Sequence, residues 1–232
     1  MLNGPLLVTE RLILRPPATE DFDGFAEMCT EEDTMRFIGG ACPRSQAWRL
    51  WCTLAGAWHI KGFSMFSVIE RDTGEWVGRL GPWEPDGWPA PEIAYGVRAK
   101  FAGKGYAFEG AIAACDFAVE FLKWPELMHS IDPANIRSQA LAKRLGATNS
   151  GPTRLPAPFQ DAPVDAWTQS ADAWRTKRKE LLPLATTTSI PNARSSMRSR
   201  RCRAIPRSIC STSSASGTRP PTLRIMRLAM RG

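Results

Sequence analysis

The stretch Glu92-Ile93-Ala94-Tyr95-Gly96-Val97-Arg98-Ala99-Lys100-Phe101-Ala102-Gly103-Lys104-Gly105-Tyr106-Ala107 decides the fold. Its first six residues are rich in β-formers. From Tyr106 to Phe121 the apolar residues Ile112, Cys115, Ala118, Val119 and Leu122 recur at helical spacing. The glycines between therefore sit at a helix N-terminus, where bare N–H groups and the positive end of the helix dipole favour an anion. Gly103 and Gly105 let such a ligand approach the backbone closely, and a pyrophosphate fits the description.

Three loop classes place glycines in this way. A Walker loop requires Ser or Thr after Gly-Lys, and here Gly105 and Tyr106 follow Lys104. The dinucleotide fingerprint needs glycines at its first, third and sixth positions. Phe108 stands at the sixth, and no acidic residue is placed on a following strand to hold a ribose. The remaining class is the acetyl-CoA loop of the GNAT N-acetyltransferase superfamily, which this segment resembles through Lys100, Gly103 and Gly105. Lys100 departs from the Gln or Arg of that pattern.

Two further segments extend the resemblance. Asn135-Ile136-Arg137-Ser138, followed by a short helix and Leu145-Gly146-Ala147, is similar to an element of the branch that acetylates ribosomal-protein N-termini. Thr9-Glu10-Arg11-Leu12-Ile13-Leu14-Arg15-Pro16 is similar to the opening strand of that branch. The three motifs stand in the family's order and span roughly residues 7 to 180. The resemblance implies an α/β fold of the GNAT type. Its central sheet is mixed and mostly antiparallel, of about six to seven strands with a V-shaped splay, and is flanked by helices. Acetyl-CoA lies in the splay as acyl donor, and an amine attacks its thioester directly.

Roles follow from the resemblance residue by residue. Backbone N–H groups around Val97 and Arg98 would stabilise the oxyanion, those from Gly103 through Tyr106 to Ala107 would hold the pyrophosphate, and Lys100 and Lys104 would add charge. Lys104 is equally a solvated loop lysine. Gly96 is the expected site of the bulge that opens the sheet. Glu92, first on the strand beside the acyl site, is the first choice of general base; the alternative is a strand-edge residue that serves solubility. Glu109 is read as ordering the helix or the loop. Many family members place a Tyr before the last helix's closing Gly to protonate the thiolate, and Ala142 occupies that position here. Ser138 is the substitute, or else the cap of its helix, and Asn135 binds the cofactor arm or forms a turn. Trp83 and Trp88, with Glu92, are expected to wall the acceptor. Trp48, Trp51 and Trp58 either join that wall or pack in the core. The missing Tyr keeps a second function class in view, a non-catalytic acyl-CoA-binding sensor.

Working outward, Arg11–Arg15 alternates as a first strand, and Thr19 is expected to cap a helix carrying Phe22, Phe25 and Met28. Pro43 opens another helix. Phe63–Glu70 and Trp76–Leu80 form a hairpin about Asp72-Thr73-Gly74-Glu75. Glu126–Ile131 reads as a strand, Ser138–Leu145 as the last helix, and Val164–Trp167 as the closing strand. His129 is read as packed.

The formal charge of +7 is unevenly placed. Residues 181–232 hold ten Arg and no Lys, Asp or Glu, which leaves 20 Lys and Arg against 23 Asp and Glu before them, a net of −3. The body is mildly acidic. The domain is accordingly placed at 1–182, with 183–232 as a disordered Arg/Ser-rich tail, either non-native or a basic arm. Nucleic acid is not expected as a partner of the body. The four cysteines of the body show no CxxC spacing and there are two His, so no metal is expected. No apolar run reaches membrane length, which predicts a cytoplasmic protein without a membrane partner. The expected partners are acetyl-CoA and an amine acceptor, with a homodimer as the assembly to test.

Overall fold

The computed structural model describes residues 4–181 and 188–190. Its strands are β1 (Leu6–Val8), β2 (Leu12–Arg15), β3 (Phe66–Glu70), β4 (Trp76–Trp83), β5 (Glu92–Val97), β6 (Glu126–Ile131), β7 (Thr148–Thr153), β8 (Val164–Ser170) and β9 (Thr188–Ile190). The helices are α1 (Phe22–Met28), α2 (Glu32–Met35), α3 (Arg44–Lys61), α4 (Tyr106–Asp116), α5 (Ile136–Leu145) and α6 (Ala171–Glu180). All strands join one sheet in the order β7-β8-β6-β5-β4-β3-β2-β1-β9. Every neighbouring pair is antiparallel except β5 and β6, which are parallel.

That parallel pair is where the sheet opens. β5 and β6 are in register only at Glu92 and Met128, near the start of both strands. Toward Val97 they part, as the resemblance implies. The expected bulge at Gly96 is absent. β4 and β5 pair without interruption from Trp83–Glu92 to Gly78–Val97, so the splay arises from the lost β5–β6 pairing. Gly96 serves space instead, because a Cβ there would lie 3.2 Å from Ile38 Cδ1. A bulge lies in β4, where Val68 faces Gly78 while Ile69 faces Trp76 and Val77 is the extra residue.

Helices cover both faces. On one, Phe25 and Met28 of α1 and Trp51 and Leu54 of α3 pack with Ile69 and Trp76. On the other, Ile112 and Cys115 of α4 pack with Leu80, Ile93 and Leu127. Trp51 and Trp58 are core residues, whereas Trp48 is half exposed and meets Phe22 edge-on, 4.9 Å between centroids.

Several boundaries differ from the sequence reading for local reasons. Thr19 is not a cap; it begins a 3₁₀ turn, and Asp21 reaches back to the Ala18 N–H at 2.9 Å while Arg15 grips its carboxylate at 2.6 and 2.7 Å. Asn135, not Ser138, caps α5, its side-chain oxygen accepting the Ser138 N–H at 3.1 Å. α5 is not the last helix, since α6 follows. Within the segment read as an unstructured tail, Thr188–Ile190 pairs with β1, from Leu6–Ile190 to Val8–Thr188. The rest of that tail lies outside the described residues.

Candidate active site

Where β5 and β6 part, a cleft of about 1130 Å³ opens between the end of β5, the loop into α4 and the first turns of α5. Gly103 and Gly105 line its floor in the left-handed region, with φ of +77° and +83°. Gly105 is the N-cap of α4, so the N–H groups of Tyr106, Ala107 and Phe108 at the helix start have no intrahelical acceptor. Beyond the backbone, a Cβ at Gly103 would meet nothing within 4 Å, which leaves that side of the loop open to a ligand. Floor, N–H groups and volume suit a pyrophosphate attached to a long pantetheine arm.

The loop is fastened from behind by the N-terminal segment. Arg11 Nη1 donates to the Lys104 carbonyl at 2.9 Å, and its guanidinium lies 4.7 Å above the Tyr106 ring. The buried Glu109 of α4 accepts three bonds in turn, from the Thr9 hydroxyl at 2.5 Å, the Arg11 N–H at 2.8 Å and Arg11 Nε at 2.7 Å. Glu109 thus holds the loop and helix together, the role read for it in the sequence. It does not face the cleft.

The expected cations are elsewhere. Lys100 pairs with Glu75 at 2.6 Å, Lys100 and Lys104 each hold an ammonium 5.0 Å from the Phe101 ring, and neither lines the cleft. Arg98 is also spent: its N–H donates to the Val77 carbonyl at 3.0 Å and its guanidinium bonds Glu27. Asp33 also lines the cleft, and the positive charge there comes from Arg36, Arg137 and Arg144, the last stacked 3.9 Å over Phe108. Sequence reading missed these three. For two of them a signal was present, because Arg137, Leu141 and Arg144 fall at i, i+4 and i+7 on one face of α5.

Val97 occupies the complementary position. Antiparallel ladders alternate the direction of their N–H groups, and Arg98 bonds β4, so the Val97 N–H points away from β4 toward the opened gap. Tyr95 lies on the same side and lines the cleft, its hydroxyl donating to the Ser138 carbonyl at 3.2 Å. Burial first, then the nearby Glu92 charge, raises the Tyr95 phenol well above its ordinary value, so it stays protonated. Ser138 and Asn135 also line the cleft.

Glu92 points to the α1 and α3 face. It is buried, and its Oε2 accepts from Trp88 Nε1 at 2.7 Å and Ser130 Oγ at 2.8 Å. Burial raises its carboxyl above the usual range, while the two donors and Arg79 act in the opposite direction. Trp88 is set edge-on to Phe159, with centroids 6.4 Å apart, and Trp83 is half-buried at the end of β4. His129 is packed as expected, its Nδ1 on the Ile93 carbonyl at 2.9 Å. Among the described residues no group of three or more His, Cys, Asp or Glu could hold a metal, and no helix is long and apolar enough to cross a membrane.

Comparison with known proteins agrees with this geometry. Residues 11–148 match the acetyltransferase (GNAT) domain family. The crystal structure of an acetyltransferase from Agrobacterium tumefaciens strain C58 superposes with a TM-score of 0.63 at 30% identity, covering 71% of this chain and 93% of that one. YkkB of Bacillus subtilis (strain 168) is 29% identical over 150 residues, 60% of this chain and 83% of YkkB. The aminoglycoside acetyltransferase AAC(6')-Ib, solved in complex with coenzyme A, shares the fold with a TM-score of 0.59 at 17% identity, over 72% of this chain and 99% of that one. With a glycine-lined helix N-terminus at the mouth of a splayed sheet and a family match across most of that sheet, the chain belongs to the GNAT family of acetyltransferases.

Proposed function

We propose that this enzyme transfers the acetyl group of acetyl-CoA to a primary amine, on a small molecule or a protein N-terminus, by direct attack on the thioester. The observation that carries the reading is the glycine-lined helix N-terminus at the cleft where β5 and β6 part. The Val97 N–H faces the gap, and the buried carboxylate of Glu92 lies beyond it on the opposite face. Acetyl-CoA supplies an activated carbonyl carbon and a thiolate leaving group.

The chain's own groups then have separable tasks. The Tyr106, Ala107 and Phe108 N–H groups, with Gly103 and Gly105, bind the pyrophosphate, and Arg36, Arg137 and Arg144 supply its counter-charge. Val97 N–H donates to the carbonyl oxygen as charge develops there. Glu92 takes the proton of the acceptor ammonium. Five residues of strand, about 16 Å, separate Glu92 from Val97, so that proton travels through bridging water. Ser138 Oγ, with the Tyr95 hydroxyl beside it, returns a proton to the departing sulfur. Trp83 and Trp88 wall the acceptor.

A thiol-release assay on the full chain with acetyl-CoA and a panel of small amines and short peptides tests the reading. Amine-dependent release is expected. No release with any amine in the panel, while calorimetry registers acetyl-CoA binding, would instead identify an acyl-CoA-binding module.

A further inference from the structure

One arginine on the acceptor side of the sheet lacks an anionic partner. Arg79 stands on β4 directly opposite Gly96, beside the strand end that carries the Val97 N–H. The extra residue Val77 resets the phase of β4, so Arg79 turns toward Phe25 and Met65 rather than toward α4. There it is half-buried. Nη1 donates to Met65 Sδ at 2.8 Å, a thioether being a weak acceptor, and Nε is buried without any hydrogen-bond partner.

No carboxylate pairs with it directly: among the described residues none lies within 4.0 Å of the guanidinium. Cys29, the closest ionisable thiol to feel it, is pushed up to about 12 by burial and by Cys42, and stays neutral. Glu92 and Arg79 each favour the other's charged form, but the Glu92 Oε2 is held by Trp88 and Ser130 and makes no ion pair with the guanidinium. An unpaired guanidinium removed from water is costly, and an anion that accepts its donors offsets the cost. The ground between Arg79 and Glu92 on β5 is Gly96 and Ala94, with no side chain longer than a methyl, and Gly96 also borders the cofactor cleft. Ile38 and Met28 pack over Gly96, and Ile38 lines the cleft, so a small molecule entering past Ile38 would bring one end to the guanidinium and its body beside the acyl site.

We propose that the acceptor is a small primary amine bearing its own oxyanion, carboxylate or phosphate, and that Arg79 binds that anion. The assignment rests on the N-acetyltransferase reading above. A guanidinium fork matches either oxyanion through paired hydrogen bonds, and a polycationic amine is disfavoured there by like charge.

Matched acceptors test it. Thiol release is measured for an amino acid against its amide and for an aminoalkyl phosphate against the corresponding amino alcohol, with rates expressed per unprotonated amine. The pair containing the fitting oxyanion should favour its anionic member in kcat/KM by about ten- to a hundredfold, mainly through KM, as for a shielded charge-assisted bond. Arg79→Gln should collapse that ratio toward one. Arg79→Lys, which keeps the charge without the fork, should retain part of it, and melting curves of both variants separate misfolding from lost recognition. A ratio near one in the unmodified enzyme, or one that Arg79→Gln leaves in place, would overturn the proposal. If no amine turns over, the transferase reading fails by itself. Calorimetry of the same amines on the protein loaded with coenzyme A then decides: anion-dependent binding lost in Arg79→Gln supports the site, and anion-independent binding or none removes it.

Discussion

Glu92 is held between opposing influences, and its titration is where the proposed chemistry is most exposed to test. Burial favours the neutral acid, while Trp88, Ser130 and Arg79 favour the carboxylate. A base works ionised, so kcat should fall with acid along a limb lying above the ordinary carboxylate range near pH 4.3. Trp88→Phe removes a donor to the charged form, and the limb should then move to higher pH in a log kcat profile. Glu92→Gln should lower kcat about a hundred- to ten-thousandfold, with acetyl-CoA affinity retained by calorimetry. His129 titrates with the opposite sense. Its folded value is about 4 against an ordinary 6.5, chiefly through burial, so the unfolded chain takes up the proton first as pH falls. The stabilisation is complete above about pH 6.5 and is lost on descending to 4, by roughly 3 kcal/mol. Urea unfolding at pH 7 and pH 4.5 should show that loss, and His129→Gln should flatten it.

At the level of elements, the phosphate loop depends on the β1–β2 turn as much as on its own glycines. Arg11→Ala removes the bond to the Lys104 carbonyl and should weaken acetyl-CoA binding about tenfold, as one shielded bond to a charged group would. Gly105→Ala forces a Cβ into a left-handed conformation and should cost about 1–2 kcal/mol of stability in denaturant melts. The glycine loop and its flanks were legible because local spacing determines them; β5 and β6 have the residues read for them, Glu92–Val97 and Glu126–Ile131. What escaped was non-local or polar. Leu6–Val8 is too short to show alternation, and β7 is a polar Thr-Asn-Ser-Gly-Pro-Thr run paired through β8. In α6 the buried side chains are Ala171 and Trp174, so no apolar stripe announces it. Lys100 looked like a phosphate ligand because proximity in sequence could not reveal Glu75 on the neighbouring hairpin.

Over the whole molecule, the sheet is longer than the six or seven strands expected, and its far edge is closed by Thr188–Ile190 on β1. Leu181 is 7% exposed and belongs to the core around α4, so a boundary at Glu180 would cut into it. A chain ending at Ile190 should melt and release thiol like the full-length protein. One ending at Glu180 should melt lower, since shortening removes both a buried leucine and an edge strand, the leucine alone at a cost of about 2–5 kcal/mol. That outcome would make the basic composition of the C-terminal segment separable from the catalytic unit, whose own basic run is Lys177-Arg178-Lys179 at the end of α6.

Thr9 and Glu109 meet across 100 positions of the chain. During synthesis the opening turn leaves the ribosome long before the helix it fastens, and the bonds between them form only when the two are reunited. A nascent or prematurely terminated product shorter than about 110 residues lacks that clasp altogether. Fragments that stop short of Glu109 keep the opening turn but lose the carboxylate it fastens to.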